Sequence, residues 1–355
     1  YESKDISFDE WIMLLTLCLA PLIAHLVAGV PTPTYLQAKR PSWHERTGLF
    51  NPTSVIWRYF SIMDRRARSW NPLELAASNA VFWTNKGWNG SEEMIEESSN
   101  YHLRLPAKTH IDLISGTAAK TLIVTLQGVQ SIYTLTMGMA HPGSNNYGYS
   151  VSIQSVFLPL AIFGLFRLPV ACWLAEDYSF ANFDMLNLSC AQRASLELKQ
   201  TTRAIESLLP AREDTFLPTK SIQGILVRTT CITVLIIFWG FAAYYIIPFQ
   251  GTTNDFSVTT LLIDIFYLFF LTVTIAVLSY YFWHGSSRST IILCMSHMWY
   301  KVYTLSLFAF IIVIITIAAL ETRKTPCGTY TSYSKADDGK LCPRLCNALP
   351  SLCTG

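Results

Sequence analysis

The chain has 355 residues, of which 51% are hydrophobic and only 14% are charged, and its formal net charge is +2. A soluble domain carries about a quarter of its residues as charges, so this composition excludes an ordinary soluble domain and a disordered chain. The small net charge gives no reason to expect a nucleic acid as partner. The composition therefore predicts an integral membrane protein.

Six segments are long enough to cross a membrane, because a spanning helix needs about 20 mostly apolar residues. We therefore predict an all-α fold, a polytopic membrane bundle of about six helices. Its spans are residues 11–30, 111–139, 151–175, 225–247, 258–283 and the end of a long helix over 288–320. The second segment is unusually polar, so five spans remain the alternative.

The distribution of charges predicts the orientation of these spans. Acidic residues precede the first segment within residues 1–10, whereas Lys39 and Arg40 follow it, which places the N-terminus outside. Lys and Arg are frequent in 31–110 and 176–220 and absent from the connections before the third and fifth spans. Both termini are then extracellular or lumenal, in the plasma membrane or another membrane of the secretory pathway.

The two basic segments are predicted to be cytosolic and partly helical. Helix starts are expected at Asn51-Pro52, Asn71-Pro72 and Ser91-Glu92, and residues 176–220 should contain an amphipathic helix. The first of these helices has an apolar face and a basic side, which predicts contact with anionic lipids of the inner leaflet. A small helical subdomain packed beneath the bundle is the alternative. The basic residues are Arg58, Arg65, Arg66 and Arg68.

The polar second span carries the most suggestive pattern. Lys120, Gln127, Ser131 and Thr134 follow at steps of seven, four and three residues, which places them on one stripe of a helix, with Gln130 beside it. A polar stripe is costly against lipid, so it is expected to line an aqueous path between subunits or to be buried against neighbouring helices.

Four further ionisable residues lie in or beside the predicted spans, where a charge is costly unless it is paired. Arg167 is expected to pair with Asp112 or Glu176, and Asp264 has no obvious partner. The histidines show none of the close pairs that metal or haem sites use, and no catalytic motif is present. We therefore predict no cofactor, no metal and no catalytic residue.

The tail, residues 321–355, is predicted to be extracellular and stapled by two disulfide bonds. Their cysteines are Cys327, Cys342, Cys346 and Cys353, for which three connectivities remain open.

Two segments resemble uncharacterised multi-pass proteins of filamentous fungi. They are the run from Arg40 to Phe60, which includes Trp43, His44 and Asn51, and the run from Ala77 to Trp83. The resemblance implies a fungal origin and no activity.

Together these patterns predict an oligomeric membrane channel, or a pore-like transporter, for a small ion or solute. Its partners would be membrane lipids and further copies of the chain. The first alternative is a non-catalytic structural protein that assembles through its tail and cytosolic region. The second is a membrane enzyme or haem protein.

Overall fold

The computed structural model is mostly helical and describes residues 6–68, 72–106, 114–140, 151–183, 221–246, 257–284, 289–325 and 328–332. Its α-helices are α1 (Phe8–Gly29), α2 (Trp43–Thr47), α3 (Pro52–Arg68), α4 (Pro72–Asn79), α5 (Glu92–Ser98), α6 (Gly116–Ala140), α7 (Leu158–Gly164), α8 (Ile222–Ile246), α9 (Val258–Trp283) and α10 (Met298–Glu321). Its 3₁₀ turns are Gly48–Phe50, Ile153–Ser155, Leu165–Arg167, Ala171–Trp173 and Leu293–Ser296.

Seven short strands also occur within the described residues, so the fold is mostly helical rather than all-α. They are β1 (Pro33–Tyr35), β2 (Val81–Thr84), β3 (Gly87–Asn89), β4 (His102–Arg104), β5 (Ser179–Phe180), β6 (Arg323–Lys324) and β7 (Tyr330–Thr331). Strand β2 pairs in parallel with β1 and antiparallel with β3. Gly87 completes the β2–β3 turn with a φ of 95°, a conformation that favours glycine. The pairs β4–β5 and β6–β7 are antiparallel.

Four helices are long and apolar enough to cross a membrane, which indicates an integral membrane protein. They are α1, the part Ile222–Tyr244 of α8, α9 and α10. The six spans predicted from the sequence are therefore not supported among the described residues. Helix α6 has 25 residues but lies outside this apolar set. Lys120, Gln127 and Gln130 lower its hydropathy.

The predicted third span, residues 151–175, is not one helix. Its α-helical part, α7, has seven residues and is followed by separate 3₁₀ turns. Pro159 lies at the start of α7, where its missing N–H is harmless, whereas Pro169 cannot continue a helix. The prediction of a spanning helix over 151–175 is wrong because this segment divides into α7 and separate 3₁₀ turns, although its apolar length favours a span.

The predicted long helix over 288–320 also needs correction, because α10 begins only at Met298. The preceding segment is anchored in the region formed by residues 31–106. Trp57 Nε1 donates to the Ser289 carbonyl at 3.0 Å, and Thr290 N donates to the Gly90 carbonyl at 3.1 Å. Backbone groups engaged with another part of the chain are not available for a helix ladder.

Helix α3 lies at the centre of the structure, and its described side chains are buried except for the half-buried Met63. It packs against α1, α8 and α9, and it begins at Pro52 as predicted, with Asn51 Oδ1 accepting from Thr53 N at 2.9 Å. Helices α4 and α5 also begin at their predicted residues. Asn51 Nδ2 donates to Thr304 Oγ1 of α10 at 2.8 Å, so the start of α3 is bonded to a spanning helix.

A buried ion pair joins α3 to α8. Arg228 Nε lies 3.2 Å from Asp64 Oδ1, and Arg228 Nη2 lies 3.1 Å from Asp64 Oδ2. The two side chains are 10% and 1% exposed. This buried bidentate pair fixes the rotation of α8 relative to α3, because any other rotation would leave two buried charges without each other, at a high cost in free energy.

Close contact between α6 and α7 depends on small residues. A Cβ on Gly128 would lie 2.6 Å from Leu165 Cδ2 and 3.0 Å from the Ala161 carbonyl oxygen. A Cβ on Gly164 would lie 2.6 Å from Val124 Cγ1. Leu165 therefore packs against the bare backbone at Gly128, and Val124 packs against that at Gly164. Small residues allow the same close approach in other membrane helices.

Replacing Gly128 by alanine should lower the thermal unfolding midpoint of the detergent-solubilised protein. The added methyl group must displace Leu165 and a backbone carbonyl, which typically costs about 1–3 kcal/mol. Gly240 is the matched control, because a Cβ there meets nothing within 4 Å. Gly240→Ala should leave the midpoint unchanged or raise it. Equal effects of the two substitutions would contradict this packing.

Asp64→Asn should destabilise the protein by about 3–5 kcal/mol, because it leaves the Arg228 charge buried without its partner. The double variant Asp64→Asn, Arg228→Met should lose less than the sum of the single variants. Thermal unfolding measures each member of this cycle. Asp177→Asn is the control, since its pair with Arg104 is more than half exposed and should contribute at most about 1 kcal/mol. Additive effects of the two buried substitutions would contradict a direct interaction.

Candidate functional site: a cationic cavity at the end of α1

A cavity of about 430 Å³ lies at the C-terminal end of α1. Its walls come from the end of α1, the residues that follow it to β1, the start of α6 and residues 174–182. The size lies within the range of about 300–1,000 Å³ that is typical of small-molecule sites. The side chains that give its lining hydrogen-bonding or ionic character are Arg58, Asn79, Thr117, Lys120, Arg167, Glu176 and Tyr178.

Arg167 is buried at one wall and binds three elements at once. Its Nε donates to Thr121 Oγ1 at 2.9 Å, and its Nη1 donates to the Ala28 carbonyl and, at 3.4 Å, to Tyr59 Oη. Its Nη2 donates to the Thr117 carbonyl at 3.5 Å. Arg167 thus ties the end of α1 to the first turns of α6.

Arg58 binds the neighbouring carbonyl of the same helix end. Its Nη1 donates to the Gly29 carbonyl at 2.6 Å and its Nη2 donates to the Asn79 carbonyl at 2.9 Å. Its Nε is buried without a hydrogen-bond partner. A guanidinium has five N–H bonds, so two hydrogen bonds leave three of them unused. Burial lowers the pKa of Arg58, but an arginine stays charged at neutral pH.

No carboxylate of the described residues forms an ion pair with either of these two positive charges, those of Arg58 and Arg167. Glu176 is bound instead by Lys120, whose Nζ lies 2.6 Å from Glu176 Oε1. The two side chains are 38% and 53% exposed, so this pair forms the open rim of the cavity.

The other groups at the wall are neutral hydrogen-bonding groups. Burial raises the pKa of Tyr178 to about 12, so its hydroxyl remains a neutral donor at physiological pH. The N-terminus of α6 also faces the site, since Thr117 lines the cavity and a Cβ on Gly116 would lie 3.7 Å from Glu176 Oε2. A helix N-terminus carries a partial positive charge. The cavity as a whole is therefore suited to an anion.

The predicted polar stripe does not form one lining. Lys120 lies at the rim of the cavity, Ser131 is buried, Gln127 is half-buried, and Gln130 and Thr134 are exposed. The Ser131 and Thr134 hydroxyls donate to carbonyls of their own helix, those of Gln127 and Gln130. The buried face of α6 is instead formed mainly by small residues, among them Thr117, Thr121 and Gly128.

The predicted ion pair between Arg167 and Glu176 is wrong, because backbone carbonyls and hydroxyls bind Arg167 and Lys120 binds Glu176. The alternative partner, Asp112, lies outside the described residues. Asp264 is buried at a separate cavity, where the spanning helices α8 and α9 meet α6 and α7.

The prediction that α3 turns a basic side towards lipid is also wrong. Arg58, Arg65 and Arg66 are all at least nine-tenths buried. Arg65 donates to Ser78 Oγ and to the Gly90 carbonyl, and Arg58 donates to the Gly29 and Asn79 carbonyls, so these two charges serve contacts within the protein. The Arg66 guanidinium is buried without a hydrogen bond among the described residues. The alternative expectation, a subdomain packed against the bundle, matches this arrangement. The side chain of Arg68 lies outside the described part.

The cysteine predictions fall largely outside the described residues. Cys327, Cys342, Cys346 and Cys353 are all undescribed, as is the predicted amphipathic helix within residues 176–220. The described free thiols are those of Cys18, Cys172, Cys231 and Cys294. No group of three or more His, Cys, Asp or Glu that could hold a metal ion occurs among the described residues.

Sequence reasoning missed the role of Arg58 in the cavity and that of Arg228 in the fold. The amphipathic pattern of α3 predicts a lipid-facing position for Arg58, and no pattern in the sequence indicates a partner for Arg228, which lies near the start of α8. The partners of Arg58 are the carbonyls of Gly29 and Asn79, which any residue type supplies. The one available signal was α3 itself, which carries four arginines and Asp64 among large apolar residues.

Comparison with protein-family models, with curated proteins and with solved structures finds no match for this chain.

Proposed function

We propose that the protein is an integral membrane protein that binds a phosphate-bearing anion in the cavity at the end of α1. The observation that carries this proposal is the burial of Arg58 and Arg167 at one cavity wall without a carboxylate partner in the described chain. A phosphate group offers several acceptor oxygens and matches the planar donors of a guanidinium. The cavity has room for an organic group beside the phosphate.

The cavity lies on the cytosolic side of the membrane if the positive-inside rule holds for this chain. Residues 31–110 contain ten Lys and Arg, and they follow directly on the end of α1 at which the cavity opens. The same phosphate chemistry is offered by a soluble organic phosphate and by the headgroup of an anionic lipid. The experiment below separates these two sources.

Substitutions at the rim should change anion affinity in opposite directions. Lys120→Gln removes a positive charge and should weaken binding about fivefold, whereas Glu176→Gln removes a negative charge and should strengthen it by a similar factor. A unit charge about 8 Å away at an effective dielectric constant of about 40 contributes about 1 kcal/mol, which is this factor. Both side chains are partly exposed, so neither variant threatens the fold.

Binding is measured by calorimetry on protein in nanodiscs of neutral lipid, with glycerol 3-phosphate as the soluble probe. A second arm replaces part of the lipid by phosphatidic acid and tests whether it competes with the probe. Lys324→Gln is the control, because its pair with Glu10 lies near the opposite end of α1, about 27 Å away at 1.5 Å per residue. No binding in either arm, or equal affinity in all variants, would overturn the proposal.

An oligomeric channel or pore-like transporter remains a second candidate, and one observation favours it. Gln130 is exposed on α6 beside the exposed apolar residues Val129 and Tyr133, and no hydrogen bond of its carboxamide occurs among the described residues. This candidate requires that α6 also lies in the membrane, where an unpaired amide is costly, so a second copy of the chain would stabilise it. The exposed part of the polar stripe would then lie at a subunit interface.

Liposomes that contain the purified protein should then pass a small ion, and Lys120→Glu should reverse the preference between anions and cations. The physical reason is the change of charge at the inner end of the proposed path. Lys324→Glu, which makes the same charge change at the other end of α1, should leave the preference unaltered. Folded protein without flux would contradict the channel and leave anion binding intact.

A further inference from the structure

A second cavity, of about 130 Å³, lies where α6, α7, α8 and α9 meet. Its lining side chains are apolar except for the Asp264 carboxylate and the Tyr267 hydroxyl, both on α9. Four aromatic residues contribute to it, Phe163 from α7, Phe238 and Phe241 from α8 and Tyr267 from α9. This cavity shares no lining residue with the cationic cavity at the end of α1.

Asp264 has no partner in the described chain. Asp264 is only 8% exposed, and its carboxylate makes no hydrogen bond or ion pair among the described residues. The one hydroxyl among the lining side chains, that of Tyr267, donates to the Val156 carbonyl at 3.0 Å. The carboxylate therefore lines an otherwise apolar cavity without a counter-charge from the protein.

The aromatic side chains of the cavity wall pack against one another and against a neighbouring ring. The rings of Phe163 and Phe238 meet edge to face, with centroids 5.1 Å apart and planes at 70°. Phe163 also contacts Phe270 in the same manner at 5.8 Å. Aromatic faces attract cations, most strongly where water is excluded. A carboxylate beside aromatic rings in such a site is complementary to an ammonium group on an apolar body.

The volume of the cavity limits the size of the apolar part of such a ligand. A cavity of about 150 Å³ lined by aliphatic and aromatic side chains accepts benzene, so 130 Å³ accommodates one six-membered ring or a similar alkyl group. A charged group inside the membrane is costly unless an opposite charge pairs with it. This holds both for the ammonium group of a ligand and for the Asp264 carboxylate. A neutral ligand of equal shape would leave Asp264 unpaired, whereas an ammonium would satisfy it.

We propose that this intramembrane cavity binds a small organic ammonium ion, with the Asp264 carboxylate as its counter-ion and the aromatic rings around its apolar body. The site is independent of the anion-binding function proposed above.

The test compares cyclohexylamine, which is protonated at neutral pH, with cyclohexanol, which has nearly the same shape and no charge. Binding to the purified protein in nanodiscs is followed by calorimetry. Wild type should bind the amine at least tenfold more tightly than the alcohol. Asp264→Asn, which preserves the shape of the side chain, should remove this preference. Asp9→Asn is the control, because Asp9 is an exposed carboxylate in the first turn of α1, and it should leave the preference intact.

Equal affinity of the wild-type protein for amine and alcohol would overturn the proposal and identify the cavity as a general apolar site, filled by lipid or left empty. An undiminished preference in Asp264→Asn would overturn it as well. If that variant does not fold, Ala242→Phe provides the second test, because the added ring fills the cavity from α8 and should abolish amine binding. Retained binding in Ala242→Phe would place the amine elsewhere.

Discussion

The structure depends on one constraint, the burial of a helix that carries charges. Helix α3 packs against α1, α8 and α9 and leaves almost no side chain to solvent, although it contains Arg58, Asp64 and Arg65. A buried charge that is left unpaired costs several kcal/mol. Three of the charges on α3 are bound by another element: the end of α1 binds Arg58, α8 binds Asp64, and the region of Ser78 and Gly90 binds Arg65. The Arg66 guanidinium is also buried, and it makes no hydrogen bond among the described residues.

The cationic cavity is a consequence of this arrangement rather than a separate feature. A helix ends with carbonyl groups that its own backbone does not bind, and α1 has no basic residue in its last turn. Arg58 and Arg167 supply the missing donors from two other elements. Two guanidiniums lie at one helix end, and the Lys120–Glu176 pair at the open rim has no net charge, so the cavity is positively charged. The two arginines that bind the terminal carbonyls of α1 thus also give the cavity the positive charge that suits an anion.

Sequence patterns predicted the features that depend on local composition. The spanning helices α1, α8, α9 and α10 and the start of α3 at Asn51-Pro52 follow from apolar length and capping residues, which neighbouring residues determine alone. Residues 151–175 have a similar apolar length, but Pro159 and Pro169 divide them into short turns. Helical periodicity placed the arginines of α3 together, opposite its apolar face, but the inference that they face lipid was wrong. Periodicity does not reveal whether lipid or another part of the protein packs against the basic side. The carbonyl acceptors of Arg58 and Arg167 could not be predicted, since a carbonyl is common to every residue type.

Helix α1 is attached at both of its ends. Near its beginning Glu10 binds Lys324, which follows α10, at 2.5 Å, and at its end the Ala28 and Gly29 carbonyls are bound by the two arginines. A piston-like shift by one helical turn, about 5.4 Å, would break the attachments at both ends together. Tilting or rotation in place preserves more of them. In mechanical terms α1 is a fixed strut, and the residues after α10 and the residues around the cavity are held at a constant separation by its length.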